Sequence, residues 1–365
     1  MGMALLVLST SWAPAQTIQP NEPTWRIDLG QGRMSAVLSG DVLEDERQLT
    51  HADTDATRSW ARNHLSLHWR LDPAAASGLE WGSYLVQEAH VRGVGAQAGV
   101  RMNQSTGIEG ARYPFAVDSV QHRRWGFNAR YHGSTPVARL DRVRWHVGAN
   151  LLAVDRFKSM GAEGVLTDGA GGTLALQATR RSDELGGTST FISPDKALGW
   201  GVTLDLGIEG GAAGQTQWAL SVRDLGPRVR LRHVLGNDQT LDTDTVSFDA
   251  DGYVNFAPAI SGRYSDRQAW LRIEPEWTAS LAHPLGRAGR GLAGLVWHGA
   301  RQELSVGYEH RLAEHRLSVI GYALRDMPFS VGLRWDMPYG SLGWRGDRLS
   351  AGKARIWMLE GGLRF

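Results

Sequence analysis

The sequence predicts an all-β protein, a transmembrane antiparallel β-barrel of about 16 strands (roughly 14–18), and three observations predict it. Apolar and polar residues alternate with period two almost throughout, and no long stripe repeats at the helical period of 3.6 residues. The chain holds 15 Trp, 45 Gly and 8 Tyr in 365 residues, and that excess of indole suits interfacial girdles better than a soluble core. No uninterrupted apolar run reaches the roughly 18 residues of a spanning helix. With charged residues at 21% of the chain, a helical membrane protein is excluded.

Composition removes several function classes. There is no cysteine, so disulfides, thiolate metal sites and a cysteine nucleophile are ruled out. The net charge of +1 creates no global field to recruit nucleic acid.

At the N-terminus, Met3-Ala4-Leu5-Leu6-Val7-Leu8 forms a short apolar core, followed by Ala13-Pro14-Ala15 ahead of Gln16. This predicts a signal peptide over 1–15, although no Lys or Arg precedes Arg26. Residues 16–32, with Pro20 and Pro23, are expected as a periplasmic tail or small plug, and 33–365 as the barrel. Strand candidates fall near 33–43, 63–71, 79–91, 94–102, 125–131, 143–153, 173–180, 198–208, 216–223, 228–234, 253–260, 267–277, 292–299, 302–311, 315–324, 328–337, 341–349 and 355–365. Leu65, Leu67, Trp69 and Leu71 alternate with His64, Ser66, His68 and Arg70; Val143, Trp145 and Val147 alternate with Arg144, His146 and Gly148. A soluble sandwich alternates too, but these polar faces carry Arg, His and Asn, and Trp recurs on the apolar face. Short connections such as Asp336-Met337-Pro338-Tyr339-Gly340 predict periplasmic turns. Longer polar stretches near 44–58, 103–122, 155–172, 181–197 and 236–252 predict extracellular loops.

The last eleven residues, Arg355 to Phe365, place Trp357, Leu359, Leu363 and Phe365 on one strand face and end on an aromatic ring. This pattern resembles the C-terminal sorting strand of Gram-negative outer-membrane β-barrels. The resemblance implies an outer-membrane location, contact with lipid and lipopolysaccharide, and recognition by the barrel-insertion machinery. A second resemblance lies in the middle. Leu198-Gly199-Trp200-Gly201-Val202-Thr203-Leu204-Asp205-Leu206-Gly207 leads into Leu220-Ser221-Val222-Arg223-Asp224-Leu225-Gly226. This hairpin is similar to one in the barrel group that includes the long-chain fatty-acid transporter FadL and the TraF- and PorV-type barrels. It implies either carriage of hydrophobic molecules or an accessory role in secretion and assembly. The chain lacks the Asn-Pro-Ala hatch motif of that group.

Lumen-facing candidates are Arg228, Arg230 and Arg232, a ladder on one strand, with Arg144, His146, Arg70 and His68 on others. A positive wall favours anions in a pore. The competing expectation is that Glu80, Glu88, Asp205, Glu274, Glu276, Glu303 and Glu309 neutralise the ladder across the lumen. Asp238, Asp242, Asp244, Asp249 and Asp251 crowd one stretch, but their spacing is not that of an EF-hand. His51, Asp53 and Asp55 form a second polar group of the kind that rim-located hydrolases use. No catalytic, cofactor-binding or metal-ligating residues are assigned, and no cofactor is expected. The expected function is a channel or transporter for small or hydrophobic molecules, the alternative being a non-conducting secretion or assembly accessory, and a rim-located hydrolase the third reading.

Overall fold

A computed structural model describes residues 25–35, 58–70, 77–95, 98, 109–137, 143–169, 173–189, 198–211, 215–226, 228–243, 246–248, 254–256, 259–299, 301–324, 329–347 and 356–364. The elements are all strands: β1 (Trp25–Ser35), β2 (Arg58–Arg70), β3 (Gly78–Val94), β4 (Arg112–Thr135), β5 (Val143–Asp168), β6 (Leu174–Leu185), β7 (Gly199–Gly210), β8 (Gln217–Leu225), β9 (Arg228–Asp242), β10 (Val246–Phe248), β11 (Val254–Phe256), β12 (Ile260–Arg272), β13 (Glu276–Pro284), β14 (Gly289–His298), β15 (Arg301–Leu312), β16 (His315–Leu324), β17 (Ser330–Met337), β18 (Gly340–Gly346) and β19 (Ile356–Arg364). Seventeen join one antiparallel sheet, and β10 pairs with β11 separately. An unbroken ring runs β1-β2-β3-β4-β5-β7-β8-β13-β14-β15-β16-β17-β18-β19 and back to β1. The three other strands branch from it: β6 pairs with the far half of β5, β9 with β6, and β12 with β9.

Closure leaves the ring without a free sheet edge, which a membrane demands. The closing pair is β1 with β19, where Arg26 faces Arg364 and Met34 faces Ile356. The barrel therefore starts at Trp25 rather than at 33, and part of the expected periplasmic tail is wall. The signal-peptide segment lies outside the described residues.

Outward side chains in the ring are apolar and exposed: Leu65, Leu85, Phe127, Leu151, Val202, Leu204, Leu220, Leu295, Val306 and Leu333. Inward ones, including Arg62, Ser66, His68, Glu80, Glu88, Arg124, Asn128, Asn150 and Asp205, are buried and polar. This is a soluble sheet turned inside out. Aromatic residues bound the apolar band. Trp125 and Trp200 meet edge to face at 6.1 Å at one level, and Tyr131 and Trp145 pack at 5.7 Å at the other. Ala153 pairs with both Trp125 and Trp200. From Trp145 to Ala153 the strand climbs about 27 Å along its axis, or about 20 Å vertically at a tilt of about 40°, which matches a hydrocarbon band.

β4 and β5 are 24 and 26 residues long, more than twice the roughly 9–11 residues that cross a membrane. Their far halves leave the bilayer beyond a β-bulge opposite Arg123/Arg124, where Arg123 grips Asp155 bidentately. Above it, β6, β9 and β12 continue the sheet. Much of the stretches expected as loops near 103–122, 155–172 and 236–252 is therefore strand, as is the start of 181–197 up to Leu185. On the inner side this projection packs Phe157, Leu185, Val234 and Leu271 together. The candidate over 267–277 divides into β12 and β13 at Ile273-Glu274-Pro275, since Pro275 has no N–H for the ladder. The connections at the end holding both terminal strands are short, as between Leu312 and His315 or Met337 and Gly340, and the long ones lie at the other end.

Candidate functional site

Inward positions on the ring assemble a column of charged side chains. Nearest the end with the termini, Glu80 bonds His132 Nε2 at 3.2 Å and has His68 Nδ1 at 3.0 Å and Arg130 Nη1 at 3.6 Å as close neighbours. His146 lies beside His132, ring centroids 5.7 Å apart, and its imidazole occupies the space over Gly207, where any Cβ would collide with it. That explains the glycine in the middle of a strand. Arg144 Nε donates to Glu209 at 2.8 Å. Arg70 is buried at the end of β2. These four candidates, His68, Arg70, Arg144 and His146, share the inner face.

Further along, Asp205 accepts from Arg130 Nη2 and from Asn150 Nδ2, both at 2.9 Å, and from the Asp224 N–H at 3.0 Å. Asp224 is a non-glycine residue at φ 55°, a region that Asp tolerates better than most side chains. Its carboxylate accepts from Arg124 Nη2 at 2.6 Å and from the Thr203 hydroxyl at 3.1 Å.

Two contacts then cross the lumen. Arg62 Nη1 on β2 donates to Glu276 on β13 at 2.9 Å. Glu88 on β3 meets His298 Nε2 on β14 at 2.8 Å, and Trp60 Nε1 donates to the same Glu88 oxygen at 2.9 Å. In each case six steps around the fourteen-strand ring separate the partners, close to half the circumference. Opposite walls are thus latched together. Beside the latch, Glu303 binds Arg301 at 2.9 Å and Arg345 at 2.8 Å; Arg301 lies over the Trp60 ring and Arg345 over that of Tyr322. The expected acids Glu80, Glu88, Asp205, Glu276, Glu303 and Glu309 are all buried; Glu309 pairs with Arg290 at 3.9 Å, and the others with the arginines and histidines above. Glu274 lies 3.9 Å from Arg272.

The arginine ladder does not face the lumen. Arg228, Arg230 and Arg232 are exposed, while Val229 and Leu231 between them are buried at 2% and 0% exposure. Those two pack with Leu152, Val154, Leu271 and Ile273 on the inner face. Gly199 and Gly201 make room, since a Cβ there would strike Leu231 and Val229. Arg230 pairs in register with outward Trp200 and bonds Gln268 at 2.6 Å. At the level of the outer girdle, strand β9 keeps the soluble rule, apolar in and charged out. Arg230→Glu is accordingly expected to leave ion selectivity of any current unchanged, whereas a luminal ladder would invert it.

On β19, Trp357, Leu359 and Leu363 lie on the outer face, and the alternate Ile356 and Met358 are buried inside. Phe365 lies outside the described residues. So do His51, Asp53 and Asp55, and Asp244, Asp249 and Asp251 of the acidic stretch. Asp238 is on β9 and pairs with Arg267 at 3.2 Å. The cross-lumen partners were missed as pairs because β2 and β13 are 200 residues apart in sequence and alternation says nothing about which strands face one another.

A closed barrel that turns apolar side chains outward between two aromatic girdles spans a membrane in the manner of bacterial outer-membrane proteins. The chain is an outer-membrane β-barrel. No protein-family model matches its sequence, and neither does any curated protein. Solved structures of similar architecture include the TodX deltaS2S3 mutant monoaromatic hydrocarbon channel, at 9% identity and TM-score 0.45 over 99% of this chain and 98% of that one. The CymD monoaromatic hydrocarbon channel matches at 9% identity and TM-score 0.33 over 94% and 89%. The siderophore receptor PirA from Pseudomonas aeruginosa matches at 9% and 0.24 over 95% and 81%. At such values the likeness is one of barrel architecture.

Proposed function

We propose that this protein is a gated transport barrel of the outer membrane, admitting small molecules from the end that bears the long connections. The observation that carries this reading is the latch. A fourteen-strand ring encloses more width than wall side chains fill by themselves, and here the lumen is closed by polar contacts between opposite walls, which a solute or a strand shift can break. Several buried polar atoms around the latch have no hydrogen-bond partner among the described residues, including both ring nitrogens of His122 and Nε and Nη1 of Arg124, as in an interior that water enters. Above the latch a vestibule of about 560 Å³ is lined by Arg92, Asp118 and Asp183 as well as Val120, Phe157 and Leu271. That volume suits one small amphipathic molecule.

The second reading, a non-conducting accessory barrel, draws on the same filled lumen: below the vestibule the cavity among Arg62, His64, Tyr84 and Arg124 is only about 70 Å³. Liposome swelling separates the two. Removing Glu276 alone would leave Arg62 buried without its carboxylate, so the informative variant is Arg62→Ala with Glu276→Ala. Faster swelling with small sugars and amino acids than the wild type supports gated transport. A folded double variant as impermeable as empty liposomes supports the accessory reading.

A further inference from the structure

We infer that the lumen holds a binding site for a first-row divalent transition metal such as Zn²⁺, built from Glu88, His90 and His298 with His122 beside them. One ligand atom from each of the first three lies within 4.8 Å of the others. Glu88 Oε1 is 3.2 Å from His90 Nε2 and 2.8 Å from His298 Nε2, and the two imidazole rings are 5.9 Å apart. Ligands about 2.0–2.1 Å from a tetrahedral metal stand about 3.3 Å from one another, so small side-chain rotations suffice.

The topology explains the convergence. Glu88 and His90 are two apart on β3 and therefore project to the same inner face. His122 is the register partner of Glu88 on β4, so its ring is the in-sheet neighbour. His298 ends β14 on the opposite wall.

An independent observation points to a ligand. His122 is 4% exposed, its Nε2 lies 3.8 Å from Glu88 Oε2, and neither of its ring nitrogens has a hydrogen-bond partner. A buried imidazole with no hydrogen-bond partner among the described residues is costly, and a metal among these groups would satisfy it. Trp60 Nε1 already holds one Glu88 oxygen at 2.9 Å, the kind of outer contact that orients a ligating carboxylate.

Donor chemistry chooses the metal class. Imidazoles with one carboxylate suit Zn²⁺, Co²⁺, Ni²⁺ or Cu²⁺, whereas Ca²⁺ and Mg²⁺ require mostly oxygen. Among the nearby cations, Arg62, Arg124 and Arg301 each face a carboxylate, Glu276, Asp224 and Glu303, while Arg92 lines the vestibule with Glu88 and His90. Access is from the vestibule, where Glu88, His90 and His122 form part of the lining. Bound there, the metal would staple β3 and β4 to β14 across the lumen.

The test is equilibrium dialysis of the folded, tag-free barrel against Zn²⁺ and separately Co²⁺, with folding checked by heat-modifiable migration. One equivalent of Zn²⁺ per chain is expected, and visible Co²⁺ bands typical of a low-coordinate nitrogen site. His298→Ala and the milder His90→Gln, whose ring is partly exposed, should each weaken binding roughly tenfold or more. His310→Gln, on a half-buried residue near the opposite end, should not. No uptake by folded wild type, or equal uptake in both lumen variants, overturns the site. Because the readout is binding, its failure is separate from that of the transport proposal.

Discussion

Glu303→Ala is expected to destabilise the barrel by about 3–5 kcal/mol, the usual cost of stranding a buried charge. Glu303 is 1% exposed and is the shared acceptor of Arg301 and Arg345, so its loss leaves two buried guanidiniums with one fewer anion between them. Urea unfolding in lipid vesicles, followed by tryptophan fluorescence, measures the effect. Arg301 and Arg345 already lie against the Trp60 and Tyr322 rings, so replacing the trio together, by Arg301→Met, Glu303→Leu and Arg345→Met, should recover most of the loss. A triple variant as unstable as Glu303→Ala would show that the cost came from packing rather than charge.

The second large effect separates neighbours in one strand. Leu231→Asp places a carboxylate at a fully buried position among Leu152, Val154 and Leu271 and is expected to cost more than about 4 kcal/mol, in the range reserved for unpaired buried charges. Arg230→Glu, one residue away and exposed, should change stability by less than about 1 kcal/mol. The reverse order of sensitivities would put the ladder back inside the lumen.

That strand also shows where sequence reading succeeds and fails. Period two is visible in β9, and it locates the strand, but it does not say which face is inside. In β2, β5 and β7 the apolar face meets lipid, so the polar set His68, Arg70, Arg144 and His146 could be assigned to the lumen directly. In β9 the apolar set Val229 and Leu231 faces inward because the strand stands at the outer girdle. The barrel class was legible for a simple reason: inverted alternation and surplus Trp are properties of single strands. The branch of β6, β9 and β12 was not, since it depends on β5 outrunning the membrane and changing neighbours from β7 to β6 along its length. The acids named from sequence pair with arginines outside the ladder: Arg62 reaches Glu276 from 214 residues away and Arg345 reaches Glu303 from 42, while Arg301 is only two residues from Glu303 on the same strand. Glu88 and His90 are close enough in sequence to suggest a shared site, but only the closed ring brings His298 to them.

Single-channel recording in a planar bilayer tests the gated lumen most directly, comparing wild type with the Arg62→Ala, Glu276→Ala variant. Rare, brief openings of the wild type and sustained currents from the variant are the expected result. Equal silence from both, in barrels shown to be folded and inserted, would contradict a latch that closes a pore.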